Sequence, residues 1–158
     1  MFISDLFRLI FRVKKMNNLV ELCSYIRKDD LKDLSGWVNW RIKYVKDTSS
    51  KDEWKNPDVA IKDEKGDCEE FANIQTCVIN SWKGWKAENL YIRNSLPGLN
   101  HAVTFWWHKR RKGIIDGRPI VYPDNITINE IVNQRWPTAK YYCFTDSKGK
   151  VISEKVYL

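Results

Sequence analysis

Three side chains with complementary chemistry, Cys68, His101 and Asp116, are spaced through the middle of the chain. A cysteine attacks a carbonyl carbon when a base takes its proton, and that base needs an acceptor on its other ring nitrogen. The three residue types suit these roles if separate elements bring them together. The chemistry would then be acyl transfer, in which Cys68 attacks an amide or peptide carbonyl and His101 passes the proton to the leaving amine.

Other chemistries lack the residues that they require. The chain has two histidines, His101 and His108, and no C-x-x-C pair, so a structural zinc site has too few ligands. The seven glycines form no phosphate-binding loop, and no G-x-S-x-G segment presents a serine nucleophile. Cysteine chemistry, binding without chemistry and a basic nucleic-acid module remain.

The segment around Cys68 predicts the start of a helix. Asp67 is a favourable N-cap residue, Glu70 stands at the second capping-box position, and an apolar run follows until Gly84. Unpaired N–H groups and the helix dipole at this position can lower the pKa of the Cys68 thiol. The two flanking carboxylates oppose that shift, so a cationic partner would also be needed. The alternative role of Cys68 is that of a small apolar residue at a helix start.

The secondary structure that must position Cys68, His101 and Asp116 is predicted to consist of helices in the first part of the chain and mainly strands in the second. Apolar spacing predicts helices over 3–13 and 19–26 and a third after Ser35, with a turn at Asn56-Pro57. A capping box of Thr127 and Glu130 predicts a later helix that ends before Pro137. The predicted strands are Leu90–Arg93, His101–Trp107, Ile114–Asp116, Tyr141–Thr145 and Val151–Tyr157. This order indicates an α+β domain with N-terminal helices packed on an antiparallel sheet. Taken alone, His101 could be a satisfied core residue and Asp116 a turn residue.

Length and composition predict one domain without a membrane span. The chain has 158 residues with 27 Lys and Arg against 20 Asp and Glu, which gives a net charge of +7. Asp5, Arg8 and Arg12 interrupt the most apolar segment, residues 1–13, and argue against both a span and a signal peptide. We therefore expect a cytoplasmic protein with free thiols at Cys23, Cys68, Cys77 and Cys143.

Two basic segments raise the question of charged partners. Residues 1–15 have the pattern of a basic amphipathic helix, which could contact a membrane surface, although packing on its own domain is the commoner role. The run Lys109–Lys112 together with eight tryptophans could bind nucleic acid by charge and stacking. Basic runs at loop tips are usually solvated, so we do not favour nucleic acid as a partner.

The sequence resembles the transglutaminase-like superfamily, particularly the small bacterial transglutaminase-like cysteine proteinases, whose architecture is papain-like. The matching positions are Asn39, Ile42, Tyr44, Asp52, Trp54 to Pro57, Gly66 to Ala72, Asn100 to Val103 and Ile115-Asp116. The resemblance implies that Cys68 is the nucleophile, His101 the base and Asp116 its orienting partner. It covers roughly residues 35–120, the expected catalytic core, between a helical extension over 1–34 and a helix with closing strands over 121–158.

The resemblance also raises questions of cofactor and oxyanion binding. The family block commonly ends Cys-Glu-Asp, whereas this chain has Glu70 in the third position. Some relatives bind calcium beside the cysteine, which would make Asp67 and Glu69 the ligands here. Helix capping is the simpler use of these carboxylates, so we expect no cofactor. The oxyanion donor would be the Cys68 backbone N–H or the Trp54 indole N–H.

The acceptor of the acyl group decides between two enzyme classes. Water would make the protein a cysteine protease or amidase that acts on a protein or peptide substrate, and an amine would make it a transglutaminase. A transglutaminase needs a water-excluding amine channel, for which this compact chain has few spare residues. We therefore expect hydrolysis. The alternatives are a transglutaminase, a catalytically inactive binding module and a nucleic-acid-binding domain.

Overall fold

A computed structural model of the chain describes residues 14–46 and 53–158. The helices in these ranges are α1 (Leu19–Tyr25), α2 (Leu31–Arg41), α3 (Pro57–Asp63), α4 (Cys68–Asn80) and α5 (Ile128–Arg135). The strands are β1 (Lys43–Tyr44), β2 (Lys65–Gly66), β3 (Trp85–Asn94), β4 (His101–His108), β5 (Arg111–Asp116), β6 (Arg118–Tyr122), β7 (Ala139–Thr145) and β8 (Val156–Tyr157). None of these helices has the length and apolar character needed to cross a membrane. The α+β class predicted from the sequence is confirmed.

Six of the strands form one antiparallel sheet in the order β6-β5-β4-β3-β7-β8, and β1 and β2 form a separate parallel pair. In the centre of the sheet, Thr104 of β4 lies opposite Ile115 of β5. Because the strands run in opposite directions, this register brings the start of β4 to the end of β5. His101 and Asp116 therefore lie at the same end of the sheet.

The sheet separates two apolar layers, because alternate residues of β4 face opposite sides. Trp106 packs with the residues of α1 to α4 on one face, and Thr104 on that face donates a hydrogen bond to the Ala72 carbonyl of α4 at 3.0 Å. Val103 and Phe105 pack with α5 on the other face. Helix α4 is thus fixed across the sheet, and its first residue lies at the end that carries His101.

Both predicted capping boxes are confirmed. At the start of α4, the Asp67 carboxylate accepts from the Glu69 amide at 3.0 Å, and Glu70 accepts from the Asp67 amide at 2.9 Å. At the start of α5, Thr127 and Glu130 make the equivalent reciprocal bonds. These local contacts fix the first residues of both helices.

The helix bounds differ from the sequence-based prediction at several points. Asn56 and Pro57 begin helix α3 as its N-cap and first residue, where a turn was predicted. Helix α2 begins at Leu31, ahead of Ser35, because Asp30 caps it. Helix α4 ends at Asn80, before Gly84. The helix predicted over 3–13 lies outside the described residues.

The strand bounds differ mainly near the C-terminus and at the sheet edge. Residues 118–122 form the edge strand β6, which is not among the predicted strands. The strand predicted over Val151–Tyr157 is reduced to β8, preceded by a single bridge between Thr145 and Val151. The closing strands therefore make a shorter edge than expected.

Substitution of Gly113 tests the packing between β5 and the core. A Cβ at this position would lie 2.6 Å from Cζ2 of the buried Trp106 and against the Ile120 carbonyl oxygen. We expect Gly113→Ala to lower the free energy of unfolding by roughly 2–3 kcal/mol through overpacking. Gly36→Ala is the control, because nothing lies within 4 Å of its Cβ position and alanine favours the helix by about 0.5–1 kcal/mol. Urea unfolding of both variants measures the difference, and equal stabilities would contradict this packing.

Candidate active site

Cys68 lies at the first position of α4, at the end of the sheet where β4 begins. Its sulfur accepts a hydrogen bond from the backbone N–H of Ala102, the neighbour of His101 in β4. The sulfur also lies close to its own backbone N–H, the first amide of the helix. The helix cap and the strand together hold the thiol beside the His101 segment.

His101 and Asp116 are joined by a hydrogen bond of 2.8 Å between the imidazole Nε2 and the carboxylate Oδ1. This hydrogen bond holds the pKa of Asp116 below its usual range against the opposing effect of burial, and Arg135 lowers it further. An ionised carboxylate can only accept, so we assign the proton to Nε2 of His101. The other ring nitrogen, Nδ1, is then the acceptor that a base requires.

Arg135, in the last turn of α5, binds the second oxygen of Asp116 at 2.9 Å. Its guanidinium lies 5.6 Å from the ring centroid of Trp136, and the Trp136 ring lies 6.0 Å from the His101 ring. The Asp116 carboxylate is thus held between an imidazole and a guanidinium. Sequence reasoning missed Arg135 and Trp136, because they follow an ordinary capped helix and belong to no motif.

Two adjoining cavities of about 590 and 540 Å³ meet at Cys68, His101 and Tyr44, and we call them together the cleft. Asp116 lines the first cavity and Arg135 the second. The Asn39 side-chain amide donates to the Gly117 carbonyl and connects α2 to the turn after β5. The structure therefore brings Cys68, His101 and Asp116 to one cleft that extends to both sides of the thiol.

The thiol of Cys68 does not have the lowered pKa that its helix-start position suggests. The pKa of Cys68 is raised to about 12, chiefly by burial and also by the negative charges of Asp67 and Glu69. The Ala102 N–H and its own N–H act in the opposite direction but are outweighed. Cys68 is consequently a neutral thiol at pH 7, and it needs a base at the moment of attack.

Alkylation of Cys68 should reflect this raised pKa. We expect its rate of reaction with iodoacetamide to rise about tenfold per pH unit from pH 7 to 10, since the thiolate is the reactive form and its fraction grows tenfold per unit below a pKa of about 12. Mass spectrometry of the Cys68 peptide measures the rate. A plateau between pH 6 and 8 would contradict the neutral thiol and indicate a stable thiolate.

Trp54, one of the two candidate oxyanion donors, does not lie in the cleft. Its indole packs directly against Gly149, in the turn that follows β7. It is absent from the residues that line either cavity. The position of the Trp54 side chain depends on this contact with a distant part of the chain. Its place in the sequence, beside the family-like Asn56-Pro57 segment, therefore did not indicate a role in the cleft. The Cys68 backbone N–H lies beside the sulfur and is the remaining candidate for the oxyanion donor.

Three buried carboxylates, those of Asp67, Glu69 and Glu70, cluster at the start of α4 with their nearest oxygens within 4.8 Å of one another. The Glu70 carboxylate accepts from the Lys55 amide at 3.0 Å as well as from the Asp67 amide. Burial raises the pKa of Glu70, and the neighbouring Asp67 charge adds to the effect. The cluster thus caps the helix and adds negative charge beside Cys68.

The remaining candidate groups lie away from the cleft. His108 ends β4 at the opposite end of that strand from His101, where its Nδ1 donates to the Gly84 carbonyl at 2.8 Å. The basic run Lys109–Lys112 covers the turn after β4 and the first two residues of β5, at that same far end. The other three cysteines are free thiols, as expected, and none of them lines the cleft.

No protein-family model, curated protein or solved structure matches the chain in comparisons with known proteins. The family resemblance accordingly rests on the sequence positions quoted above. The site itself is defined by the geometry of Cys68, His101 and Asp116 in the cleft.

Proposed function

We propose that the protein is a cysteine-dependent acyl-transfer enzyme that hydrolyses peptide or amide bonds. The observation that supports this function best is the 2.8 Å bond from His101 to Asp116 in the same cleft as Cys68. A nucleophile, a base and an orienting carboxylate on three separate elements have the arrangement that nucleophilic catalysis requires. A papain-like or transglutaminase-like core is part of this proposal, and an antiparallel sheet with a helix across one face is compatible with it.

The first half of the reaction forms a thioester. The Cys68 sulfur attacks the substrate carbonyl carbon while its proton passes to Nδ1 of His101, and the carbonyl oxygen takes up the electron pair. The Cys68 N–H at the helix start is placed to stabilise this oxyanion. Collapse of the intermediate breaks the C–N bond, and the amine leaves with the proton held by His101.

The second half releases the product. Water gives a proton to Nδ1 of His101 and attacks the thioester carbonyl, and the C–S bond breaks as the sulfur regains a proton. Asp116 accepts from Nε2 throughout and stabilises the imidazolium that forms in each half. The neutral Cys68 thiol makes proton removal by His101 essential, because little thiolate exists beforehand.

Water is favoured over an amine as the acceptor because the cleft extends from Cys68 into two cavities that are open to solvent, and the described residues that line them form no enclosed channel for an amine. A transglutaminase is the alternative, since the thioester is common to both reactions.

We also propose a cytoplasmic setting, on the basis of the four free cysteines. The basic run Lys109–Lys112 lies at the far end of β4 and lines neither cavity, so we do not propose nucleic acid as the ligand of this site.

Incubation with a proteome-derived peptide library and a fluorescent primary amine tests this function. We expect new peptide termini that depend on Cys68, carry one ¹⁸O atom when the reaction is run in H₂¹⁸O, and do not appear with Cys68→Ala. Incorporation of the amine without cleavage would establish the transglutaminase alternative. Cleavage that persists in Cys68→Ala would refute the proposed nucleophile.

Arg135 is proposed as a positioning residue for the Asp116 carboxylate. Arg135→Gln removes the guanidinium from Asp116 and leaves only the His101 hydrogen bond, so we expect kcat/KM to fall roughly 10-fold, an effect of about 1.4 kcal/mol. Arg135→Lys keeps the charge but not the planar guanidinium, so it should restore part of the loss. The pKa of Asp116 should also rise in Arg135→Gln, because the guanidinium that lowers it is removed, and NMR titration of the Asp116 carboxyl measures the change. An unchanged Asp116 pKa would contradict the positioning role.

The proposed reaction requires no cofactor, although the resemblance raises calcium as a possible ligand. The buried, all-oxygen cluster suits a hard cation, because a carboxylate oxygen that accepts an amide hydrogen bond keeps a further lone pair for the ion. Asp67, Glu69 and Glu70 would hold the ion, whose positive charge would offset the carboxylates that raise the pKa of Cys68. A rise in Tm with CaCl₂ that is lost in Glu69→Gln would identify such a site.

A further inference from the structure

We propose that the cleft binds its substrate as an extended polypeptide strand whose backbone hydrogen-bonds to the main chain of Tyr44. This inference rests on the proposed function, and it specifies the substrate class as an unfolded, apolar segment of polypeptide. A small amide, or a side-chain amide presented by a folded surface, would not use this mode of binding.

The backbone of the segment that follows α2 borders the cleft. Ile42, Lys43 and Tyr44 are consecutive, and all three line the first cavity. The side chains of an extended segment alternate between two sides, so three consecutive residues border one cavity only where the backbone itself does so. The wall of the cleft at this point is therefore main chain as well as side chain.

The hydrogen bonds of β1 show which backbone groups are directed toward β2. The Lys43 amide donates to the Glu64 carbonyl at 2.8 Å, and the Val45 amide donates to the Gly66 carbonyl at 2.9 Å. Because successive residues of a strand direct their N–H and C=O groups to opposite edges, those of Tyr44 point away from β2. Of the strands in the described ranges, β2 alone pairs with β1.

Tyr44 also lies where the two cavities meet, beside Cys68 and His101. It lines both cavities together with Cys68 and His101, and its ring packs edge-on against Phe71 of α4 at 5.8 Å. A strand paired with Tyr44 would pass the thiol and continue into the cavity on either side. Addition of a strand to an open edge is a general mode of peptide recognition, in which the backbone supplies affinity and alternate side chains supply specificity.

The rim of the cleft indicates the side chains that such a strand would carry. Trp40 and Tyr44 border the first cavity with exposures of 51% and 55%, and Leu99 borders the second with 52%. Large apolar side chains that are half exposed around a cleft favour apolar groups on a ligand. We therefore assign apolar residues to the positions that flank the scissile bond.

Chloroacetyl peptides test this inference without the need for turnover. A mixture of chloroacetyl pentapeptides with apolar residues is compared with chloroacetamide, which has the same reactive group but no backbone. In both cases the Cys68 sulfur displaces chloride, and intact-mass spectrometry gives the rate. We expect the peptides to react at least 10-fold faster than chloroacetamide with the wild-type protein.

Two variants separate the main chain of Tyr44 from its ring. Tyr44→Pro removes the N–H, which β2 does not use, whereas Tyr44→Ala removes the ring alone. The peptide preference should fall at least three times further in Tyr44→Pro than in Tyr44→Ala. Equal losses, or a wild-type preference near one, would overturn the inference.

Chloroacetyl peptides with N-methylated backbone amides supply a second measurement on the wild-type protein. This measurement tests strand pairing even if Tyr44→Pro does not fold. N-methylation of one particular peptide amide should abolish the preference, while methylation of its sequence neighbours should not. A uniform effect along the peptide would contradict strand pairing. Strong peptide preference without hydrolysis of the library would refute the proposed enzyme and leave the binding mode intact, so the two failures are distinguishable.

Discussion

Replacement of His101 with alanine is expected to lower kcat by roughly 10²–10⁴-fold, the range that general acid–base catalysis contributes. Because burial keeps Cys68 protonated, the loss should lie toward the upper end of that range. The amine must also leave without a proton donor once His101 is removed. Cleavage of the best peptide from the library, followed by mass spectrometry, measures the effect.

His108→Ala is the matched control for this variant. His108 lies on the same strand, but its Nδ1 is bound to the Gly84 carbonyl and its ring stacks on Trp85 at 4.5 Å, at the end of β4 opposite His101. We expect kcat to stay within about twofold of the wild-type value, since His108 does not line the cleft. Equal losses in the two variants would show that His101 has been assigned the wrong role.

Substitution of Asp116 by asparagine should have an effect of similar size, with a loss in kcat of roughly 10²–10⁴-fold. Asparagine keeps the shape of the side chain but removes the charge that both His101 and Arg135 contact. If its amide nitrogen faced the imidazole, it would favour the tautomer with the proton on Nδ1, the nitrogen needed as the base. Wild-type kinetics in Asp116→Asn would exclude the orienting role.

The stability of the Asp116→Asn variant gives an independent readout. The pKa of Asp116 is lowered in the folded protein, so its ionised form contributes stability above the ordinary value of 3.8. That contribution is lost as the pH falls through the lowered pKa. The difference in unfolding free energy between wild type and variant should therefore be largest near neutral pH and shrink below pH 3.8. A difference that grows on acidification would contradict the ionised Asp116.

Local motifs explain why part of this structure could be predicted from the sequence. The two capping boxes lie within four residues each, so Asp67 with Glu70 and Thr127 with Glu130 identify both helix starts without tertiary information. The chemistry of Cys68, His101 and Asp116 was also predictable as a set of residue types. Their convergence in one cleft depends on the β4 and β5 register, which no local pattern specifies.

The missed features depend on contacts between distant parts of the chain. No strand was predicted over residues 118–122, which contain Pro119. An edge strand tolerates proline because one of its sides needs no partner strand, and β6 is such an edge in the described sheet. Asn56-Pro57 is typical of turns and equally of a helix start, and only the fold distinguishes them. The direction of the Cys68 pKa shift could not be predicted from the sequence for a related reason, because the helix start and the flanking carboxylates are local whereas burial is not.

The acyl-enzyme itself provides the most direct test of the central claim that Cys68 attacks a substrate carbonyl. The wild-type protein is mixed with the best peptide of the library, quenched in acid within milliseconds and analysed by peptide mass. We predict an acyl adduct on Cys68 that neutral hydroxylamine removes, as expected of a thioester, and that is absent from Cys68→Ala. Cleavage without any adduct on Cys68, or an adduct that survives in Cys68→Ala, would contradict the proposed mechanism.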